Sequence, residues 1–349
     1  MAPEHDGKLM SEVSAVARNG AARTIYNWLF SGRPRGWARV EWQSARTAVA
    51  REIQSGSYDN VLVSGIDGWQ TVPVIERKSV IVDLDDLESA KIKHRIAHRA
   101  AAYNGARGQI MAIVDRIDLR RWSRIEAEIV RDALAVVVCS DHDRDLLKST
   151  KVHTVPNIYP TVISATFAPA ATRRGGPPIL LFVGSLTTRP NEEACRLVVD
   201  SIMPLVWRQD PNVQLRLVGR HSEAVARLHD PPQVVVTGFV EDLESELVRA
   251  DVVVAPFISG GGTRIKILEA FRAGRPVVST SIGIEGIDAT DGVHALIRNE
   301  PDAFAKACLT LLHNPQIAEE IATAACELAE DRYSPKAVVD ALATLFGAS

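Results

Sequence analysis

Cysteine is scarce. Cys139, Cys195, Cys308 and Cys326 are spread along 349 residues with no CxxC spacing. That excludes a disulfide framework and a thiolate zinc site, and makes a reducing compartment the expected setting. Charge of one sign is lacking too: 40 basic residues face 43 acidic ones, leaving a net −3. No cationic excess is available for a nucleic-acid backbone. No run approaches the ~18 apolar residues of a membrane span, and the opening MAPEHDGKLMSEVSAV lacks the apolar stretch of a secretory signal. A cytoplasmic protein with no membrane span and no nucleic-acid partner is expected. A GxGxxG between a first strand and its helix is also missing, which disfavours a NAD-dependent oxidoreductase.

What is there reads as globular: 46% hydrophobic and 24% charged residues, on a chain long enough for two domains. In the second half, short apolar runs alternate with helical patterns. The runs are ILLFVG (179–184), VQLRLVG (213–219), VVVTGF (234–239), DVVVAPF (251–257), PVVST (276–280) and HALIR (294–298). Helices are expected over 190–209, 242–250, from about 263, over 301–313 and 315–330, and over 335–346. Continuous apolar strands between helices predict a parallel sheet covered on both faces, with ligands received beyond the strands' carboxyl ends. The loops VGS, LVGR, TGFVED, PFISGGG and STSIGIEG all fall at that end.

The first half is α/β with four visible strands, at 60–65, 79–86, 135–140 and 152–157. Helices are expected at 41–55, along much of 87–132 and over DRDLLKS (143–149). SGRPRGW (31–37) reads as a loop. The Pro- and Gly-rich stretch 157–177 reads as the connection between halves.

The stretch SGGGTRIKILEA (259–270) poses a charge problem. Arg264 and Lys266 sit in a first helical turn, where cations are disfavoured by roughly 0.3–1 kcal/mol each. At 100° per residue, Lys266, Glu269 and Arg272 share a polar arc, while Ile265, Ile267, Leu268, Ala270 and Phe271 form an apolar one. Gly261, Gly262 and Thr263 leave the approach open to an anion, which the first-turn N–H groups would meet. The plainer reading is an exposed Lys266–Glu269 pair and a solvated Arg264. Glycines, Thr, Arg, Lys and Glu together after an apolar strand favour the anion.

Residues 179 to about 346 resemble the nucleotide-binding half of the retaining family 4 (group 1) glycosyltransferases. The pieces that carry the resemblance are FVGSLTTRPNEEA, LRLVGR, VVVTGFVEDLESELVRADVVVAPF and GGGTRIKILEAFRAGRPVVSTSIGIEG, in the family's order and spacing. The resemblance implies the GT-B fold, with two facing Rossmann-like domains on parallel sheets. The acceptor-side domain would span 1–160, the donor-side domain 175–333, and a helix in 334–349 would cross back to the first domain. It further implies a nucleoside-diphosphate sugar as donor, no required cofactor or metal, and a sugar, lipid-linked or small-molecule acceptor. Glu269 matches the ribose-binding glutamate, and the amides around Thr263, Arg264 and Ile265 match those meeting the diphosphate. Arg220 and the GFVED turn, with Phe239 and Val240, fall where base and phosphates are lined; Gly184 and Ser185 face the diphosphate.

Where the family often has a second glutamate, this chain has Gly261; where members carry Arg and Lys in the first loop, it has Ser185 and Pro190. Arg264, Lys266, Arg220 or Arg189 is expected to supply the missing charge, with Arg264 and Lys266 stabilising the departing diphosphate.

In the first half, Asp85 and Asp86 stand where members often show His-Asn. They are candidate acceptor-side catalytic groups, or else a helix cap with Glu88 in the first turn. Asp67, ending a strand in SGIDGW, is a further candidate against an ordinary turn. Ser140 reads as a cap with Asp143 in its helix. Trp28, Trp37, Trp42, Trp69 and Trp122 read mostly as core. The family's opening strand and glycine-rich turn are not visible, so the first domain is expected to be incomplete, with a protein partner or homodimer covering it. The alternatives are a non-catalytic nucleotide-sugar-binding partner subunit and a nucleotide-sugar epimerase.

Overall fold

The computed structural model describes residues 18–56, 58, 60–98, 105–159, 176–260 and 263–346. The chain divides into two units, Met1–Thr154 and Val155–Ser349. Most of the expected connection, 160–175, lies outside the described residues, as do Gly261 and Gly262.

The first unit has a four-stranded parallel sheet in sequence order: β1 (Val61–Ser64), β2 (Val80–Asp83), β3 (Ala135–Val138) and β4 (Val152–Thr154). β2 and β3 are apolar on both faces and buried, whereas the edge strand β1 alternates and leaves Leu62 61% exposed. Helices Gln43–Ser55, Glu88–His98, Gly105–Asp132 and Asp141–Leu147 accompany the sheet. Trp37, Trp42, Trp69 and Trp122 are core residues, as their crowding suggests. The loop expected over 31–37 is corrected in part: Arg35–Ala38 forms a helical turn. Pro34 precedes it with a φ already fixed, and burial of Trp37 holds it.

The second unit has six parallel strands: β5 (Ile179–Val183), β6 (Gln214–Val218), β7 (Val234–Gly238), β8 (Val252–Ala255), β9 (Val277–Ser279) and β10 (Leu296–Ile297). Their order is β10-β9-β8-β5-β6-β7. The chain therefore starts in the middle, builds outward through β6 and β7, and returns to build the other side from β8. That is the dinucleotide-fold order, with its switch point between β5 and β8. Leu180, Leu181 and Phe182 of β5 are fully buried; all three pair with β6, and Leu180 and Leu181 also pair with β8. Burying each such side chain contributes about 1.5–3 kcal/mol.

The helix expected over 190–209 is interrupted. It runs Arg189–Leu197, widens into a π turn over Val198–Ile202, and resumes as Met203–Trp207. Pro204 explains this: it has no N–H to donate and its ring crowds the carbonyl of Asp200, so the turn before it opens. Helices Leu243–Arg249, Ile265–Arg272, Pro301–His313, Pro315–Tyr333 and Pro335–Phe346 complete the unit.

Candidate functional site

The loops following β5, β6, β7, β8 and β9 meet at one end of the second sheet, because all its strands are parallel. Gly219, after β6, has φ +135, and a Cβ there would overlap the carbonyl oxygen of Gly184 after β5. Its N–H donates to the carbonyl of Gly238 at the end of β7 (2.8 Å). Three loops are thus drawn together at positions where only glycine fits or where φ is positive.

Across the switch point, Lys266 of the helix Ile265–Arg272 reaches the β5 loop. Its Nζ lies 2.5 Å from where a Cβ on Gly184 would stand, and it donates to Asn191 Oδ1 (3.1 Å). Beneath it are the rings of Phe257 (4.9 Å) and Phe182 (5.6 Å). Arg264, at the start of the same helix, lies over Phe257 at 4.6 Å and beside Gly260. Two cations on an aromatic floor gain cation–π attraction but lose hydration. Burial, reinforced by the Arg264 charge, lowers the Lys266 ammonium from its ordinary range to about 8. Burial likewise raises the Glu269 carboxyl, against the pull of Lys266.

The simple Lys266–Glu269 surface pair is not what forms; Lys266 turns instead to Asn191. Ile265 departs from the expected apolar arc and is 42% exposed at the helix start, while Ile267, Leu268, Ala270 and Phe271 are buried. Thr263 Oγ1 donates to the Gly286 carbonyl after β9 (3.4 Å).

Asn191 was not singled out from the sequence, yet it organises the first loop. Its amide nitrogen donates to the Ser185 carbonyl (2.8 Å) and to Thr188 Oγ1 (2.9 Å), while its oxygen receives Lys266. It lies on the same helical face as Ala194, Cys195 and Val198, all buried. An amide on an otherwise apolar i, i+3, i+4, i+7 stripe is the signal that could have found it. Ser259 belongs here as well, donating to Glu193 Oε2 (3.0 Å).

Other expected residues stand apart from this centre. Arg189 is exposed and pairs with Glu193 on its own helix (3.1 Å). Arg220 lies over the ring of Phe239 at 5.2 Å, and Phe239 is 64% exposed. Val240 is partly buried and packs against the core.

In the first unit, the acids after β2 are largely committed. Asp86 pairs with Lys91 (2.5 Å). Asp85 is exposed with φ +58, a left-handed conformation that Asp tolerates, and its N–H donates to Asp83 Oδ1 (3.0 Å). The first turn of Glu88–His98 is also met by buried Glu126, which accepts from the Ser89 amide (2.9 Å). Asp67 accepts from Trp37 Nε1 (2.6 Å), which ties its side chain to a buried core ring thirty residues away. Ser140 caps its helix through the Asp143 amide (3.1 Å). Among the described residues, no three His, Cys, Asp or Glu side chains converge to hold a metal ion, and no helix is long and apolar enough to cross a membrane.

Comparison with known proteins agrees with this arrangement. Residues 177–314 match the family described as Glycosyl transferases group 1. An uncharacterized 44.6 kDa protein in the cps region of Klebsiella pneumoniae is 26% identical over 172 residues, covering 47% of this chain and 44% of that protein. The chain thus matches under half the length of this curated relative. Among solved structures, Anabaena Alr3699/HepE in complex with UDP and glucose is similar with a TM-score of 0.63 and 16% identity, over 87% of this chain and 82% of that one. Sucrose-phosphate synthase from Thermosynechococcus elongatus gives 0.65 and 18%, over 88% and 79%. The match to the glycosyl transferases group 1 family falls within the second unit, and the fold is the GT-B fold.

Proposed function

We propose that the chain is a glycosyltransferase that binds a nucleoside-diphosphate sugar on its second unit and passes the sugar, with retention, to an acceptor. The observation that carries this reading is Lys266 poised over the bare backbone of Gly184, with Arg264 beside Gly260 at the start of the same helix, at the switch point of a dinucleotide-type sheet. A diphosphate placed there would meet first-turn N–H groups and two cations. Charge-assisted bonds of this kind contribute about 1.5–3 kcal/mol each. Support also comes from the group 1 match and from UDP in the HepE complex.

In this reading the amides of Thr263, Arg264 and Ile265 and the Lys266 ammonium hold the diphosphate and stabilise the charge it gains as the sugar departs. Glu269 receives the ribose hydroxyls. Arg220 over Phe239 offers a flat, exposed face for the base. Asp85, exposed and left-handed just after β2, is the acceptor-side candidate; Asp86 positions Lys91. Holding the reacting groups in line, rather than a covalent nucleophile, would supply the rate.

Calorimetry with UDP, GDP and dTDP tests the binding, and a donor-hydrolysis screen across the corresponding sugars tests the chemistry. One of the three nucleotides should bind and its sugar should be slowly hydrolysed. Silence from all three, with the Lys266 site still empty in crystals soaked with each, would overturn the proposal.

A further inference from the structure

The first unit holds a cavity of about 510 Å³ that the donor chemistry does not use. It lies between the helix Gln43–Ser55 and the segment from Gln70 to Arg77 that leads into β2. Arg46, Arg51 and Arg77 line it, and among the described residues no acidic side chain does. Val72, Pro73 and Val74 supply an apolar wall.

The three guanidinium groups are held in different ways. Arg77 is stacked on Trp69 at 4.4 Å and its Nη1 pairs with Glu128 (2.6 Å), yet its buried Nε has no hydrogen-bond partner among the described residues. Arg46 is fixed by Gln70, giving Nε to the backbone carbonyl (2.6 Å) and Nη2 to the side-chain oxygen (2.7 Å); among the described residues its remaining donors are uncommitted. Arg51 is exposed at the rim. Burial lowers the affinity of Arg46 for its proton, and the nearby charges of Arg33 and Arg77 act the same way. Against these cations stand Glu128, paired with Arg77, and Glu41, whose charge opposes the shift at Arg46, so positive charge is left in excess, and a buried donor left unmade is costly.

We infer that this cavity is a second ligand site, for a small molecule bearing a phosphate-type dianion. The arginine forks match the oxygens of such a group in geometry and charge. The apolar wall and the volume suit an organic body of sugar size behind it. The site stands on the first unit's own residues and holds whether or not the donor reading does.

Calorimetry on the full chain with glucose 6-phosphate, inorganic phosphate and glucose tests it. Glucose 6-phosphate should bind and glucose should not. A phosphorylated metabolite as natural ligand predicts that glucose 6-phosphate binds tighter than inorganic phosphate; equal affinities identify the free anion. Arg51→Glu, at the exposed rim, should weaken either ligand at least tenfold without altering the fold. Arg77→Gln should do the same, with circular dichroism confirming that Trp69 remains packed. UDP binding should be unchanged in both variants, which separates this site from the donor site. Absence of heat from both phosphates, or an affinity unmoved by Arg51→Glu, overturns the inference.

Discussion

Lys266 ties the site's geometry to its pH behaviour. Its ammonium is lowered from 10.5 to about 8 by burial and by Arg264, so between those values the folded chain binds fewer protons than the unfolded one. Stability therefore rises with pH across that window, because the strained charged form is being discharged. Ligand affinity should run the opposite way. A bound diphosphate restores the ammonium, so binding takes up a proton wherever the free protein has lost it. Nucleotide affinity should be flat below about pH 8 and fall by up to about tenfold per unit above it. Lys266→Met, which keeps a stem over Phe182 and Phe257, should weaken binding about tenfold at neutral pH and abolish the slope. Titration calorimetry in buffers of different ionisation enthalpy reads the proton directly. An unchanged slope in the variant would remove Lys266 from the diphosphate site.

At the scale of elements, the loops depend on close backbone approach as much as on side chains. Gly219 cannot carry a Cβ without striking the Gly184 carbonyl, and its φ of +135 is hostile to any other residue. Gly219→Ala should cost about 3 kcal/mol or more, read as a shift in the denaturation midpoint, and should loosen nucleotide binding by moving the β5 loop. The strands around this site were legible because parallel, doubly covered strands are written as continuous apolar runs, and the helix Ile265–Arg272 because its apolar arc keeps a 3.6-residue period. Less legible was anything set by a partner distant in sequence. Arg264 and Lys266 were visible as misplaced cations, but that Lys266 would reach Asn191, 75 residues away, has no local trace. Nor did the short period around Met203 betray a π turn, since Pro204 acts on the turn before it rather than on the pattern. The acids at Asp85 and Asp86 read equally as acceptor contacts or a cap; that Glu126 would reach the Ser89 amide from another helix is a pairing no spacing rule predicts.

At the scale of the molecule, each unit holds a core of its own residues: Trp37 to Val152 in the first and Tyr159 to Tyr333 in the second. The second core is far larger and rests on six strands against four. Buried apolar area rises with unit size and sets much of the stability, so the first unit should melt first. Ligand linkage then makes the assignment testable. A nucleotide that binds only the folded second unit stabilises it by about 2.7 kcal/mol at a hundredfold excess over Kd. For a unit of this size that is an upward shift of about 5–10 °C in the later calorimetric transition, with the earlier one unmoved. Glucose 6-phosphate should do the reverse, raising the earlier transition alone. Hydrogen exchange on the same samples would show protection gained around Gly184 and Lys266 in one case and around Arg46 and Arg77 in the other. If the nucleotide instead raised only the earlier transition, the donor site would have been assigned to the wrong unit.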